Sequence, residues 1–236
     1  MVEAGMSEHH FGSVEALDSA LAEAVVNILA TAIDQRGHAS FVVSGGSTPK
    51  GLFRRLATTE LAWSKVTIIL ADERWVPDDH PDSNERLLTR TLLQDNAAAA
   101  TAISLTPQYP NEAGNLLTVQ AALDTVGCYD LVILGMGGDK HTASLFPCAR
   151  ETPVGLTTSE SVLMTHPTTA PHARVTQSLT RLTHTRNGFI HIVGDDKLQV
   201  LYEARSASQS GEIPNRAPIA QVAAPIGKFE LWYAPH

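Results

Sequence analysis

The chain has 236 residues, 43% hydrophobic and 18% charged, enough apolar material for a packed core and too little charge for a disordered chain. Asp and Glu outnumber Lys and Arg by 25 to 17, and the net charge of −8 disfavours a nucleic-acid partner, which demands dense basic patches. Two cysteines, Cys128 and Cys148, cannot form a disulfide framework and suggest a reduced, cytoplasmic setting; Met1 to Gly12 lacks the regions of a signal peptide, and no membrane span is expected.

In chain order, Val14 to Ile33 carries apolar residues at helical spacing, with Ser13 placed to cap it. Phe41 to Val43 reads as a short buried strand that empties into Ser44-Gly45-Gly46-Ser47-Thr48-Pro49, and a helix is expected from Pro49 to Ala57 with Thr48 as its cap. Val66 to Leu70 is a second strand, followed by Asp72-Glu73-Arg74. Helices follow at Asn84–Leu93 and Glu112–Leu123, and Tyr129–Leu134 is the third clear strand. Further strands are expected at Val162–Thr165, Arg174–Ser178 and Gly188–Val193, then a helix over Asp195–Ala204 and a closing strand over Phe229–Tyr233. Buried strands alternating with helices predict an α/β fold: a single domain over residues 1–236, with a largely parallel twisted sheet covered by helices on both faces.

Three loops at expected strand carboxyl ends carry the chemistry, since open α/β sheets bind their ligands there. Gly45 and Gly46 let backbone N–H groups approach an anion, and the following helix adds its dipole; a tight turn without a ligand explains the same residues. The loop is not a Walker A motif, because Leu52-Phe53 stands where Lys-Ser/Thr is required. Asp72, Glu73 and Arg74 form a polar wall, and Arg74 has the fork that grips phosphate or carboxylate. The third loop, Gly135-Met136-Gly137-Gly138-Asp139-Lys140-His141, presents Asp139 and a His141 able to act as a base near neutral pH. It nearly spells a dinucleotide fingerprint but has Lys140 at the third glycine, so no nicotinamide cofactor is expected. Arg174 opens one expected strand, and Lys197 lies in the first turn of a helix, where it opposes the dipole and hints at an anion. His166 and His172 have no metal-ligand spacing and are read as loop residues; no metal is expected.

Taken together, Ser44–Pro49, Ala71–Pro77, Ser83-Asn84, Leu134–Pro147, Arg174–Leu179 and Gly194–Lys197 resemble the glucosamine-6-phosphate isomerase/6-phosphogluconolactonase family. Its deaminase members have an acidic residue five positions after the histidine; here that position is Phe146, the lactonase form. The resemblance implies hydrolysis of 6-phospho-D-glucono-1,5-lactone in the pentose phosphate pathway, without a cofactor, with His141 as general base and Asp139 and Asp72 orienting it or the water. It assigns the phosphate to Gly45, Gly46, Ser47 and Thr48 with Arg174 and Lys197, and leaves Arg74 to phosphate or carbonyl. A monomer is expected, whose partner is the small sugar-phosphate lactone, without nucleic acid or membrane. Two other readings stay open: a deaminase or isomerase, and a sugar-phosphate-sensing domain without turnover. The family usually has glycine at the positions of Lys140 and Cys148.

Overall fold

The computed structural model describes residues 6–209, 217–223 and 229–236, and among these it has ten strands, eight α-helices and two short 3-10 turns. The strands are β1 (Glu8–His10), β2 (Ala39–Val43), β3 (Val66–Leu70), β4 (Asp72–Arg74), β5 (Thr101–Ile103), β6 (Tyr129–Leu134), β7 (Val162–Thr165), β8 (Arg174–Gln177), β9 (Thr185–Val193) and β10 (Phe229–Ala234). The helices are α1 (Val14–Arg36), α2 (Lys50–Ala57), α3 (Asn84–Thr91), α4 (Glu112–Asp124), α5 (Thr152–Gly155), α6 (Leu179–Thr183), α7 (Asp195–Gln209) and α8 (Pro218–Val222). Seven strands form a parallel sheet in the order β1-β10-β9-β6-β2-β3-β5. Its centre is apolar, because strands covered on both faces have no side to give to water: every residue of β2 and β6 is buried.

The expected parallel sheet is therefore present, but two strands assigned to it belong elsewhere. β7 and β8 pair antiparallel, and β8 pairs antiparallel with β4, giving a separate three-stranded sheet. Periodicity reports burial and not which neighbour a strand will choose. Gln177 joins the sheets. Its backbone N–H donates to Ala71 O, its Nε2 donates to Leu70 O at 2.7 Å, and its Oε1 accepts from the Tyr129 hydroxyl at 2.7 Å.

The long first helix follows its sequence signals. Ser13 accepts from Ala16 N at 3.2 Å, and Gly37 closes the helix at φ 79°. By length and composition alone α1 is apolar enough to cross a membrane, contrary to expectation. Here its apolar face is covered, with Leu17, Leu21, Val25 and Leu29 fully buried. At α2 the expected cap is corrected: Pro49 occupies the cap position and no side chain caps the helix, leaving Thr48 to face the adjoining cavity.

Candidate active site

Parallel pairing sets the site. Val43 stands opposite Leu70 and Ile133, so the loops leaving β2, β3 and β6 emerge side by side at one sheet edge. Together with the ends of β8 and β9 they enclose a cavity of about 330 Å³. Gly45, Gly46, Ser47, Thr48, Asp72, Arg74, His141, Arg174 and Lys197 all line it. Gly46 has φ 92°, a conformation that disfavours any side chain, and a Cβ on Gly45 would stand 2.0 Å from Asn84 Oδ1. The β2 and β6 loops are tied by Ser44, whose Oγ donates to Ile133 O and accepts from Gly135 N, each at 3.3 Å.

The three charges after β3 do different jobs. Asp72 is buried and accepts from Ser144 Oγ at 2.5 Å. Glu73 turns away from the cavity. It accepts from Asn84 N at 2.8 Å, Glu85 N at 2.6 Å and Ser83 Oγ at 2.9 Å, and so caps α3; burial nevertheless lifts its carboxyl above the usual range. Arg74 turns in, and the β4–β8 register sets it directly opposite Arg174. Like charges opposite one another in a sheet repel. Burial above all, with the Arg74 charge acting the same way, lowers the Arg174 pKa against the opposing pull of Asp72, Glu73 and Asp82. Both arginines keep a buried Nε without a partner among the described residues. Paired guanidiniums with free donors suit an oxyanion.

The β6 loop folds back on itself to present the histidine. Gly137 N donates to His141 O and Lys140 N to Gly137 O, each at 3.0 Å, while Thr142 Oγ1 donates to Gly135 O at 2.9 Å. A Cβ on Gly137 would lie 2.1 Å from the imidazole Cε1, so glycine is needed for the ring to sit where it does. His141 Nδ1 bonds to Asp139 Oδ1, and the ring stacks on Phe146 with centroids 4.1 Å apart. Burial raises the Asp139 pKa, but its bond to His141 and the charge there outweigh this and hold the carboxyl below its ordinary value. Phe146 also lies under the Arg174 guanidinium, 5.7 Å from ring centroid to Cζ, and so spaces the imidazole from that cation.

A sequence model described as glucosamine-6-phosphate isomerases/6-phosphogluconolactonase matches residues 12–230. The chain belongs to this family. Among its relatives, the 6-phosphogluconolactonase of Rhizobium meliloti is 38% identical over 96% of this chain and 98% of its own length. That of Pseudomonas putida is 36% identical over 91% of this chain and 89% of its own. The crystal structure of a 6-phosphogluconolactonase from Shewanella baltica superposes with a TM-score of 0.91 at 36% identity, covering 98% of this chain and 99% of that one. A monomeric glucosamine-6-phosphate deaminase shares the fold, with a TM-score of 0.77 at 16% identity.

On this family scaffold Asp139 stands behind His141, outside the cavity lining, and Asp72 is held by Ser144. Two lining residues escaped sequence reasoning. Asn84 read as part of a helix start and of a segment that carries the family resemblance, without a role in the site, yet its Nδ2 donates to Asp72 O at 3.0 Å and its amide packs on Gly45. His191 read as one more residue of a buried strand. Its ring reaches the cavity, and its buried Nε2 has no hydrogen-bond partner among the described residues. Lys140, where the resemblance leads us to expect glycine, adopts φ 72°. A left-handed lysine costs about 1–2 kcal/mol, so the loop keeps its glycine-like shape under strain.

Proposed function

We propose that this cavity hydrolyses 6-phospho-D-glucono-1,5-lactone to 6-phospho-D-gluconate, with His141 as the general base. The observation that carries the reading is His141, backed by Asp139, lining the same cavity as two arginines that face each other across β4 and β8. Asp139, ionised, accepts the Nδ1 proton of a neutral imidazole, which leaves the Nε2 lone pair for water. As Nε2 takes the proton, the water oxygen bonds to the lactone carbonyl carbon. The bond from that carbon to the ring oxygen then breaks, and the imidazolium returns its proton to that oxygen. Arg74, with its free Nε, and the loop N–H groups face the charge that develops on the carbonyl oxygen. The phosphate lies remote from this step, against Gly45, Gly46, Ser47 and Thr48 with Arg174 and Lys197, and so fixes the carbonyl beside the base.

Phe146 favours hydrolysis over deamination or isomerisation, since an apolar ring against His141 carries no proton. The test couples freshly made lactone to 6-phosphogluconate dehydrogenase and follows NADPH above an enzyme-free blank. Wild type runs above the blank, and His141→Ala loses roughly two to four orders of magnitude in turnover while staying folded. A His141→Ala protein with near-normal turnover removes His141 as the base, and a wild type equal to the blank removes the reaction.

A further inference from the structure

Beside the cavity but outside its lining, two loops far apart in sequence bring His80, Asp82 and His172 together, with one ligand atom from each within 4.8 Å of the others. We propose that these three side chains bind a zinc-class divalent ion that clips the loop after β4 to the loop before β8. Two imidazoles and one carboxylate are the donor set that suits zinc and its neighbours rather than the oxygen-seeking magnesium and calcium.

The distances fit. Around a tetrahedral zinc, with bonds of about 2.0–2.1 Å, ligand atoms stand roughly 3.3 Å apart. Asp82 Oδ2 lies 2.9 Å from His172 Nε2 and 4.0 Å from His80 Nδ1, so movements under about 1 Å bring all three to coordination. The imidazoles meet edge to face, with centroids 5.3 Å apart. His80 Nδ1 accepts from Asp82 N at 3.1 Å, so its proton is on Nε2 and its lone pair is held by a backbone N–H next to the Asp82 carboxylate. An ion takes that lone pair in place of one neutral hydrogen bond.

A second observation is independent of the distances. His172 has φ 67°, a left-handed conformation that non-glycine residues hold only where their surroundings impose it, and such outliers gather at functional positions. The ring of this residue meets a cluster whose other members lie 90 or more positions away. Sequence spacing therefore had no means of showing the site.

The clip bears on the arginines. Arg74 Nη1 donates to Asp82 O, and Arg174 Nη2 donates to Pro171 O at 3.0 Å. Each loop tied by the ion thus carries a carbonyl that holds one of the two facing guanidiniums. Bound zinc braces both loops without entering the reaction.

The experiment titrates the chelator-stripped full chain with zinc against a chromogenic competitor and repeats it on His80→Asn, His172→Asn and Asp82→Asn. Wild type takes up one saturable equivalent, each variant binds at least roughly tenfold more weakly, and zinc raises the melting temperature of wild type alone. Metal-free melting temperatures of all four proteins agree, which separates a lost ligand from a damaged fold. Absence of saturable uptake by wild type, equal affinity in all the variants, or an equal thermal shift from magnesium would overturn the assignment. The result stands apart from the lactonase reading, because none of its readouts is turnover.

Discussion

Arg174 meets two demands at once. It must lie in β8 to pair with β4, and it must present a cation, although its backbone partner is Arg74 and it is almost wholly buried. Burying a guanidinium beside another is unfavourable unless an anion answers it. Removing it should therefore discriminate between ligands. Arg174→Ala is expected to weaken binding of the phosphorylated lactone or its phosphorylated product by roughly 2–4 kcal/mol, the scale of a charge-assisted bidentate pair in a buried site. Unphosphorylated gluconolactone should be affected far less. Inhibition constants for gluconate 6-phosphate and gluconate on both proteins decide it, and an equal loss on the two ligands withdraws Arg174 from the phosphate.

At the scale of elements, the turn that ends β4 and starts α3 is held by Glu73. One carboxylate gathers the N–H groups of Arg74, Asn84 and Glu85 with the Ser83 hydroxyl. Asn84, placed by this cap, in turn packs on Gly45 of the β2 loop. Glu73→Ala orphans buried helix N–H groups and is expected to cost about 2–3 kcal/mol, read as a lower urea midpoint at unchanged slope. A midpoint within error of wild type shows that Ser83 caps α3 unaided. Much of this level was legible in the sequence, because α1, α4 and the buried runs of β2, β3 and β6 announce themselves by periodicity and caps. The glycine loops and His141 were legible for the same reason, as they follow those runs directly. The three-residue strands β1, β4 and β5 were not, being too short for a pattern. Glu73 read as part of a site wall, since side-chain direction in a three-residue strand depends on a pairing with β8 that lies about 100 residues on. Asn84, His191 and the His80–Asp82–His172 group are products of tertiary approach and leave no local mark.

For the whole molecule, the balance of charge hides an inner layer where α1 meets the floor of the cavity. His191 of β9 is buried there with Asp18 of α1 4.0 Å away and Lys197 of α7 acting on it through space. Burial first, and then the Lys197 charge, push His191 down to about 4. Burial likewise raises Asp18, against the opposing charge of Arg55 and a backbone bond from Leu52. The two shifts have opposite consequences for stability. Between the ordinary histidine value of about 6.5 and about 4, the unfolded chain takes a proton that folded His191 refuses, so the fold loses stability as pH falls through that window. Folded Asp18 takes its proton at higher pH than the unfolded chain does, so acidification recovers some stability through that group. The histidine contribution reaches about 3 kcal/mol at most, from 1.36 kcal/mol for each pKa unit. Urea unfolding of wild type and His191→Leu between pH 7 and pH 4.5 isolates it, because Asp18 is present in both proteins. The wild type should lose more stability than the variant over this range, whatever offset the substitution imposes at pH 7. Parallel curves would mean that His191 takes up its proton at the same pH in the folded and the unfolded chain, so that its burial contributes nothing to the pH dependence.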